Sequence, residues 1–346
     1  MQRVDGLTER QVRVLDAIVK LYVETAEPAA SQAVARRCRL GISSASVRNT
    51  MSELEEAGFL RHPHTSSGRV PTDRAYRAYV DGLLGRTQPS DRDLVRLEAE
   101  VAMVGAGGPI EEILRRAAQV LGILAQELGV AVTPALDQTV LERLQLVPVS
   151  SERLLVVLNL DSRLARTLYL EIPNAVAAEV VEQVGRILNE RLAGLALAEI
   201  RVTLADRLRD VARPDGGQQL LNIFIERGED VFEARLEGGI MLGSAKPLAD
   251  QPEFASNGRM RDLLELTERR DVLEGAFAAH RRRGLTISIG SENRDPSLND
   301  FTLVTASYRW GDLSGVVGVL GPTRMPYEKV IGLVEHTSRL VEGLLT

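Results

Sequence analysis

A single cysteine, Cys38, stands in 346 residues. An intrachain disulfide needs two cysteines and a multi-cysteine metal cage needs more, so both are excluded. Aromatic residues supply only 4% of the chain, with one Trp, and the core has to be built from Leu, Val, Ile and Ala. No stretch approaches the ~20 consecutive apolar residues that span a bilayer as a helix. The opening MQRVDGLTERQ lacks the basic-then-apolar order of a secretory signal. These absences lead us to expect a cytoplasmic protein with no membrane partner. Also missing are GxxxxGK[ST], GxSxG and HExxH. The four histidines, His62, His64, His280 and His336, are scattered, and Gly105-Ala106-Gly107-Gly108 follows a helical pattern rather than a strand. His62 and His64 have no neighbouring cysteine to complete a metal site. Neither catalysis, metal nor cofactor is expected.

What is present is an ordinary globular balance, 44% hydrophobic and 26% charged, in a chain long enough for two or three domains. The net charge of −6 conceals a split: residues 1–86 hold 13 Lys/Arg against 10 Asp/Glu. No acid occurs between Glu27 and Glu53, a stretch with Arg36, Arg37, Arg39 and Arg48. None occurs between Glu56 and Asp73, which holds Arg61, His62, His64 and Arg69. Basic stretches in an otherwise acidic chain suit a module that meets a polyanion, although a pair of solvated basic faces would look the same.

The spacing predicts a helix from Thr8, as its cap, to about Thr25, with Val12, Leu15, Ile18, Val19 and Tyr22 on one face. Glu27-Pro28 ends it. A short helix fits Ser31 to Cys38, and a third runs from Ser43 or Ser44 to Ala57, closed by Gly58. Phe59 to Pro63, the turn Thr65-Ser66-Ser67-Gly68, and Arg69-Val70-Pro71 read as a small hairpin. Three helices and a ribbon make a winged helix-turn-helix. A further helix follows from Thr72, and a linker from Gly85.

In the third helix Val47, Met51 and Leu54 face inward. At about 100° per residue, Ala45, Asn49, Ser52 and Glu56 point outward, flanked by Ser46 and Arg48. Small residues let a recognition helix enter the major groove, while Arg suits guanine and Asn suits adenine. The first turn, with Ser43, Ser44 and Ser46, can receive a phosphate on its amides. The ribbon collects phosphate-contacting types in Arg61, His64, Ser66, Ser67 and Arg69. The expected DNA-binding set is therefore Ser44, Ala45, Ser46, Arg48, Asn49, Ser52, Arg61, His64, Ser66, Ser67 and Arg69. A merely solvated helix face and polar turn would show the same residue types.

Beyond the linker, 92–128 reads as helical with a break at 105–109, and 140–172 carries strand character. Helical patterns dominate from 175 to 280. Strands return in GLTISIG, FTLVTASYRW and LSGVVGVLG before a last helix at about 326–345. Strands on both sides of a helical block predict an α+β domain with an insertion.

Two long segments, GISSASVRNTMSELEEAGFLRHPHTSSGRVPTDRAYRAYVD (41–81) and ISIGSENRDPSLNDFTLVTASYRWGDLSGVVGVLGPTRMPYEKVIGLV (287–334), closely resemble the HrcA family of heat-inducible transcription repressors. The resemblance is collinear over essentially the whole chain. It implies a winged helix over 1–86, a linker and helix over 87–108, a GAF-like α+β domain over 109–172 and 281–346, and an inserted, helix-rich dimerising domain over 173–280. It also implies a homodimer that binds the inverted-repeat operator CIRCE in double-stranded DNA, represses chaperone operons in the stress response, is released on heat shock and is modulated by the chaperonin GroEL. Gly321-Pro322-Thr323-Arg324-Met325 resembles the family's C-terminal hallmark. Departures are modest, such as Ala29-Ala30-Ser31 in place of the Val-Gly-Ser run frequent in members. The rival reading is a metabolite-sensing winged-helix/GAF regulator, with Ser291 to Asp295 lining its pocket.

Overall fold

Thr8 opens the first helix by reciprocal capping: its hydroxyl accepts the Gln11 amide, and the Gln11 carboxamide oxygen accepts the Thr8 amide. The computed structural model describes residues 6–37, 41–63, 68–84, 89–105, 109–161, 164–210, 217–233, 239–281 and 283–345. They form two units, one of 1–132, 240–308 and 314–346, the other of 133–239 and 309–313.

The larger unit begins with α1 (Glu9–Thr25), α2 (Ser31–Arg37) and α3 (Ser44–Glu56). The stripe predicted for α1 is buried at Leu15, Ile18 and Val19, against Val34 of α2 and Val47, Met51 and Leu54 of α3. The two-residue strands β1 (Leu60–Arg61) and β2 (Val70–Pro71) pair antiparallel, with Leu60 opposite Pro71. Ala29 and Arg69 exchange backbone hydrogen bonds of 2.8 and 3.0 Å, which ties the ribbon to the segment before α2. A β-carbon on Gly68 would lie 2.6 Å from the Pro28 carbonyl oxygen, so this approach needs glycine. The helix α4 (Asp73–Leu83) follows, then α5 (Asp91–Ala102), α6 (Ile110–Ala125) and β3 (Leu128–Val132).

The smaller unit contains β4 (Leu141–Ser150), β5 (Arg153–Leu160) and β6 (Leu164–Glu171), an antiparallel meander in that order, and the helices α7 (Ala178–Leu192), α8 (Leu197–Arg207), α9 (Gln218–Glu226) and α10 (Gly228–Val231). Leu154, Val156 and Leu158 turn one face of the meander inward, and α7 packs there through Val181, Val184 and Leu188. On the other face Val147, Leu155 and Tyr169 lie in one cross-strand row, with Val147 and Tyr169 exposed.

The chain then returns to the larger unit with β7 (Ile240–Leu242), α11 (Lys246–Ala249), α12 (Asn257–Glu268), α13 (Arg270–Ala278), β8 (Thr286–Ile289), β9 (Phe301–Trp310), β10 (Leu313–Pro322) and α14 (Tyr327–Leu345). Its sheet has the order β7-β3-β10-β9-β8. Between β7 and β10, β3 is buried on both faces, and its alternation divides them. Leu128, Val130 and Val132 join a core with Leu263, Leu266, Leu273 and Phe277 of α12 and α13. Gly129 faces α6 so closely that a β-carbon would lie 1.9 Å from the Ala118 carbonyl oxygen.

The class is α+β, and the structure divides the chain elsewhere than at 172 and 280. Among the described residues the strands of 141–171 pair with one another and lie with the helices that follow, whereas α11 to α13 cover the five-stranded sheet. Strand pairing between distant segments draws these limits, and alternation within each strand does not reveal the partner. The apolar run of β3 adjoins the helical pattern of 110–125 and reads as its continuation; β7 is too short to be seen.

Candidate nucleic-acid interface

The helix α3 is set by caps and by one long side chain. The Ser43 hydroxyl accepts the Ser46 amide at 3.1 Å. Arg10 of α1 donates to the buried Thr50 hydroxyl at 3.0 and 2.7 Å and to the Ser46 carbonyl at 3.3 Å. With Val47, Met51 and Leu54 buried, the outward face carries Ala45, Arg48, Asn49 and Ser52, all exposed. The Arg48 guanidinium and Asn49 carboxamide make no hydrogen bond or ion pair with a described residue. The Ser52 hydroxyl donates to the Arg48 carbonyl at 3.3 Å. Ser44 and Ser46 are half-buried, and the Ser44 hydroxyl is 3.3 Å from that of Ser31, joining α3 to α2.

The ribbon divides its expected residues. Arg61 is exposed and without an ion pair among the described residues. Arg69 is half-buried, and its Nε donates to Glu55 Oε2 at 2.7 Å, which pins the ribbon to the end of α3. That commitment to an acid 14 residues away removes Arg69 from the free cations. His64, Ser66 and Ser67 lie outside the described residues, as does Cys38. The His62 ring is 2.8 Å from the Pro63 carbonyl.

One group escapes a reading of the sequence alone, and another is seen there only as part of a basic stretch. Arg10 positions α3, and its signal is the polar Thr50 on an otherwise apolar buried face. Arg36 is exposed at the end of α2 without a partner among the described residues, on the same acid-free stretch as Arg48.

The module carrying α3 meets the rest of the larger unit through α1 and α4. Arg77 donates to Glu292 Oε1 at 2.8 Å and to the Ile287 carbonyl at 2.6 Å. Asp73 accepts the Ser291 amide at 3.0 Å, Lys20 pairs with Glu328 at 2.9 Å, and Arg324 donates to the Val23 carbonyl at 2.7 Å. None of these contacts involves the outward face of α3.

The family model for the HrcA protein C terminal domain matches residues 111–331. Heat-inducible transcription repressor HrcA of Chlorobium phaeobacteroides (strain BS1) is 37% identical over 95% of this chain and 96% of its own. That of Prosthecochloris aestuarii is 37% identical over 97% and 96%. The chain belongs to the HrcA family. Its relatives there are named as transcription repressors, and the family is not enzymatic. A crystal structure described as a hypothetical protein shares the fold, with a TM-score of 0.64 at 24% identity over 99% of each chain. No described helix is long and apolar enough to cross a membrane, and no cluster of three or more metal-ligating side chains occurs among the described residues.

The segment 291–295 is largely committed to internal structure. Ser291 bonds Asp73, Glu292 holds Arg77, and the Asn293 carboxamide donates to the carbonyls of Gly290, Leu298 and Phe301 at 2.9–3.0 Å. Glu292 to Asp295 also line a cavity of about 460 Å³ beside the buried His280. Burial pushes the His280 imidazole below its ordinary pKa, with Arg283 and Arg294 acting in the same direction.

Proposed function

We propose that the chain represses chaperone operons by reading an inverted-repeat operator of the CIRCE type as a homodimer. The first three helices and the ribbon act as a winged helix, with α3 in the major groove. The observation that carries this is the outward face of α3, where Arg48 and Asn49 are uncommitted among the described residues and stand beside the small Ala45 and Ser52. Arg48 and Asn49 read base edges. Arg61 meets phosphate, together with His64, Ser66 and Ser67 of the ribbon tip; Ser44, Ser46 and Arg69 act by holding the module together.

A two-fold dimer presents two such helices to two half-sites. The smaller unit is the dimerising one in this reading. Its support is the exposed apolar row Val147-Leu155-Tyr169, a sheet face left without a covering layer among the described residues. The larger unit's five-stranded sheet is the GAF-like domain. GroEL acts as the partner that maintains an operator-competent dimer, and heat releases the operator as that dimer is lost.

Titration of the full chain against a CIRCE-type repeat and a scrambled duplex, at two salt concentrations and with and without GroEL, tests the reading. Selective binding strengthened by GroEL is the expected outcome. Equal, salt-sensitive binding to both duplexes would remove operator specificity. A ligand that changes operator affinity at fixed temperature would favour the metabolite-sensing alternative.

A further inference from the structure

A crevice of about 580 Å³ opens within the larger unit, between α1, α4 and the ribbon on one side and α12 with the loop 322–324 on the other. Its size falls in the ~300–1,000 Å³ range of small-molecule sites. Four guanidiniums line it. Two are spent: Arg324 pairs with Glu253 at 2.5 and 2.9 Å, and Arg259 pairs with Asp300. Arg61 of β1 and Arg269 have no ion pair among the described residues. On the α12 wall, Asp262 and Glu265 are likewise without a hydrogen bond or ion pair among them.

The apolar part of the lining is aromatic. Phe254 and Phe301 stack at 5.9 Å and are buried, while the Tyr22 ring is part-exposed. Tyr76 is 2% exposed, and its hydroxyl has no hydrogen-bond partner among the described residues. The polar groups around Tyr76 are Tyr327, which lies outside the crevice, and Tyr22, Arg324 and Glu253, which line it. A buried hydroxyl left unmatched lowers stability, and a bound ligand can satisfy it.

The uncommitted groups define what fits. Two free guanidiniums match a phosphate in geometry and charge. Free carboxylates accept from sugar hydroxyls or an exocyclic amine, and a part-exposed ring offers a face for stacking. An inorganic anion would leave the carboxylates unanswered, and an apolar ligand would leave all four charges so. We propose that this crevice is a binding site for a mononucleotide, held by Arg61 and Arg269 at its phosphate and reached by the Tyr76 hydroxyl. Because Arg61 belongs to the ribbon and Arg269 follows α12, an occupant spans the ribbon and the helical cover of the sheet and competes with DNA phosphate for Arg61.

The test is calorimetric titration of the full chain, without DNA, with AMP, GMP, CMP and UMP, and with adenosine, ribose 5-phosphate and inorganic phosphate. Saturable binding of at least one mononucleotide, tighter than its nucleoside or phosphate alone, is expected. Arg269→Gln should weaken it at least tenfold. Tyr76→Phe should weaken it severalfold while raising the unfolding temperature of the unliganded chain, since it removes an unsatisfied buried hydroxyl. That pairing of opposite effects distinguishes a ligand contact from a packing role. No saturable binding of any mononucleotide up to roughly 1 mM overturns the proposal. So does phosphate or adenosine binding as tightly as the nucleotide, or affinity unchanged in Arg269→Gln.

Discussion

At the scale of single residues, the decisive distinction is between charges the fold has used and charges it has left. Arg48 is exposed on α3 and has no partner among the described residues, so Arg48→Ala should leave the unfolding midpoint unchanged. It should cost ~1–3 kcal/mol in operator discrimination and relax preference at one base position, read by titrating duplexes substituted one base pair at a time. Arg69→Ala should behave differently. Its partner Glu55 is 2.7 Å away and both are largely shielded, so the variant should lose about 1 kcal/mol of stability in denaturant titration. Its direct effect on the salt dependence of DNA binding should be small. Residue types alone placed both arginines in one DNA-contacting set. Arg48 could be assigned from helical spacing because Val47, Met51 and Leu54 define the inward face. Arg69 could not, because its acid lies on another element.

At the scale of elements, helices were legible wherever their ends are chemical. Thr8 and Ser43 accept amides three residues on, and Gly58 has φ of +78° just past α3, as the sequence predicts for α1 and α3. The strand β3 was not legible, and its packing makes a sharp prediction. A β-carbon on Gly129 would stand only 1.9 Å from the Ala118 carbonyl oxygen, so Gly129→Ala forces α6 and β3 apart. The loss should be at least about 2–3 kcal/mol, measured as a lower chemical-denaturation midpoint. Glu127, in the turn between those elements, is 1% exposed and accepts from Gln251 Nε2 at 3.0 Å. Burial raises its carboxyl pKa well above 4.5 in the folded chain. The folded state therefore binds a proton that the unfolded state releases above that value, so this group opposes folding increasingly as pH rises. Glu127→Gln, which keeps an acceptor for Gln251, should be more stable than the parent at pH 7. The gain should shrink as pH falls towards 4.5, and a constant gain across that range would contradict the assignment.

At the scale of the whole molecule, the prediction concerns association. The row Val147-Leu155-Tyr169 pairs across three strands, with Tyr169 64% and Val147 44% exposed. The opposite face is already covered by α7. If this row joins two copies, Val147→Lys with Tyr169→Lys should give a folded monomer in sedimentation, with unchanged secondary structure by circular dichroism. Binding to an inverted repeat should fall towards that of a half-site. A folded dimer with both lysines would place the interface elsewhere. The sequence reading expects the dimerising domain at 173–280; the row proposed here lies on strands of 141–171, which fold into the same unit as α7 to α10.

The sequence by itself determined the helices of the first 84 residues, two of them through their caps, the outward face of α3 and, through two long segments, the family. These depend on neighbours within a turn or two of helix, where spacing and cap chemistry act directly. Only the tertiary structure decided which strands share a sheet and which charges are spent. Arg77 meets Glu292 across 215 residues, Arg324 meets Glu253 across 71, and β3 finds both of its partners, β7 and β10, far downstream in the chain. Such pairings satisfy charges and backbone groups through closure of long loops, and local residue spacing carries no record of the partner.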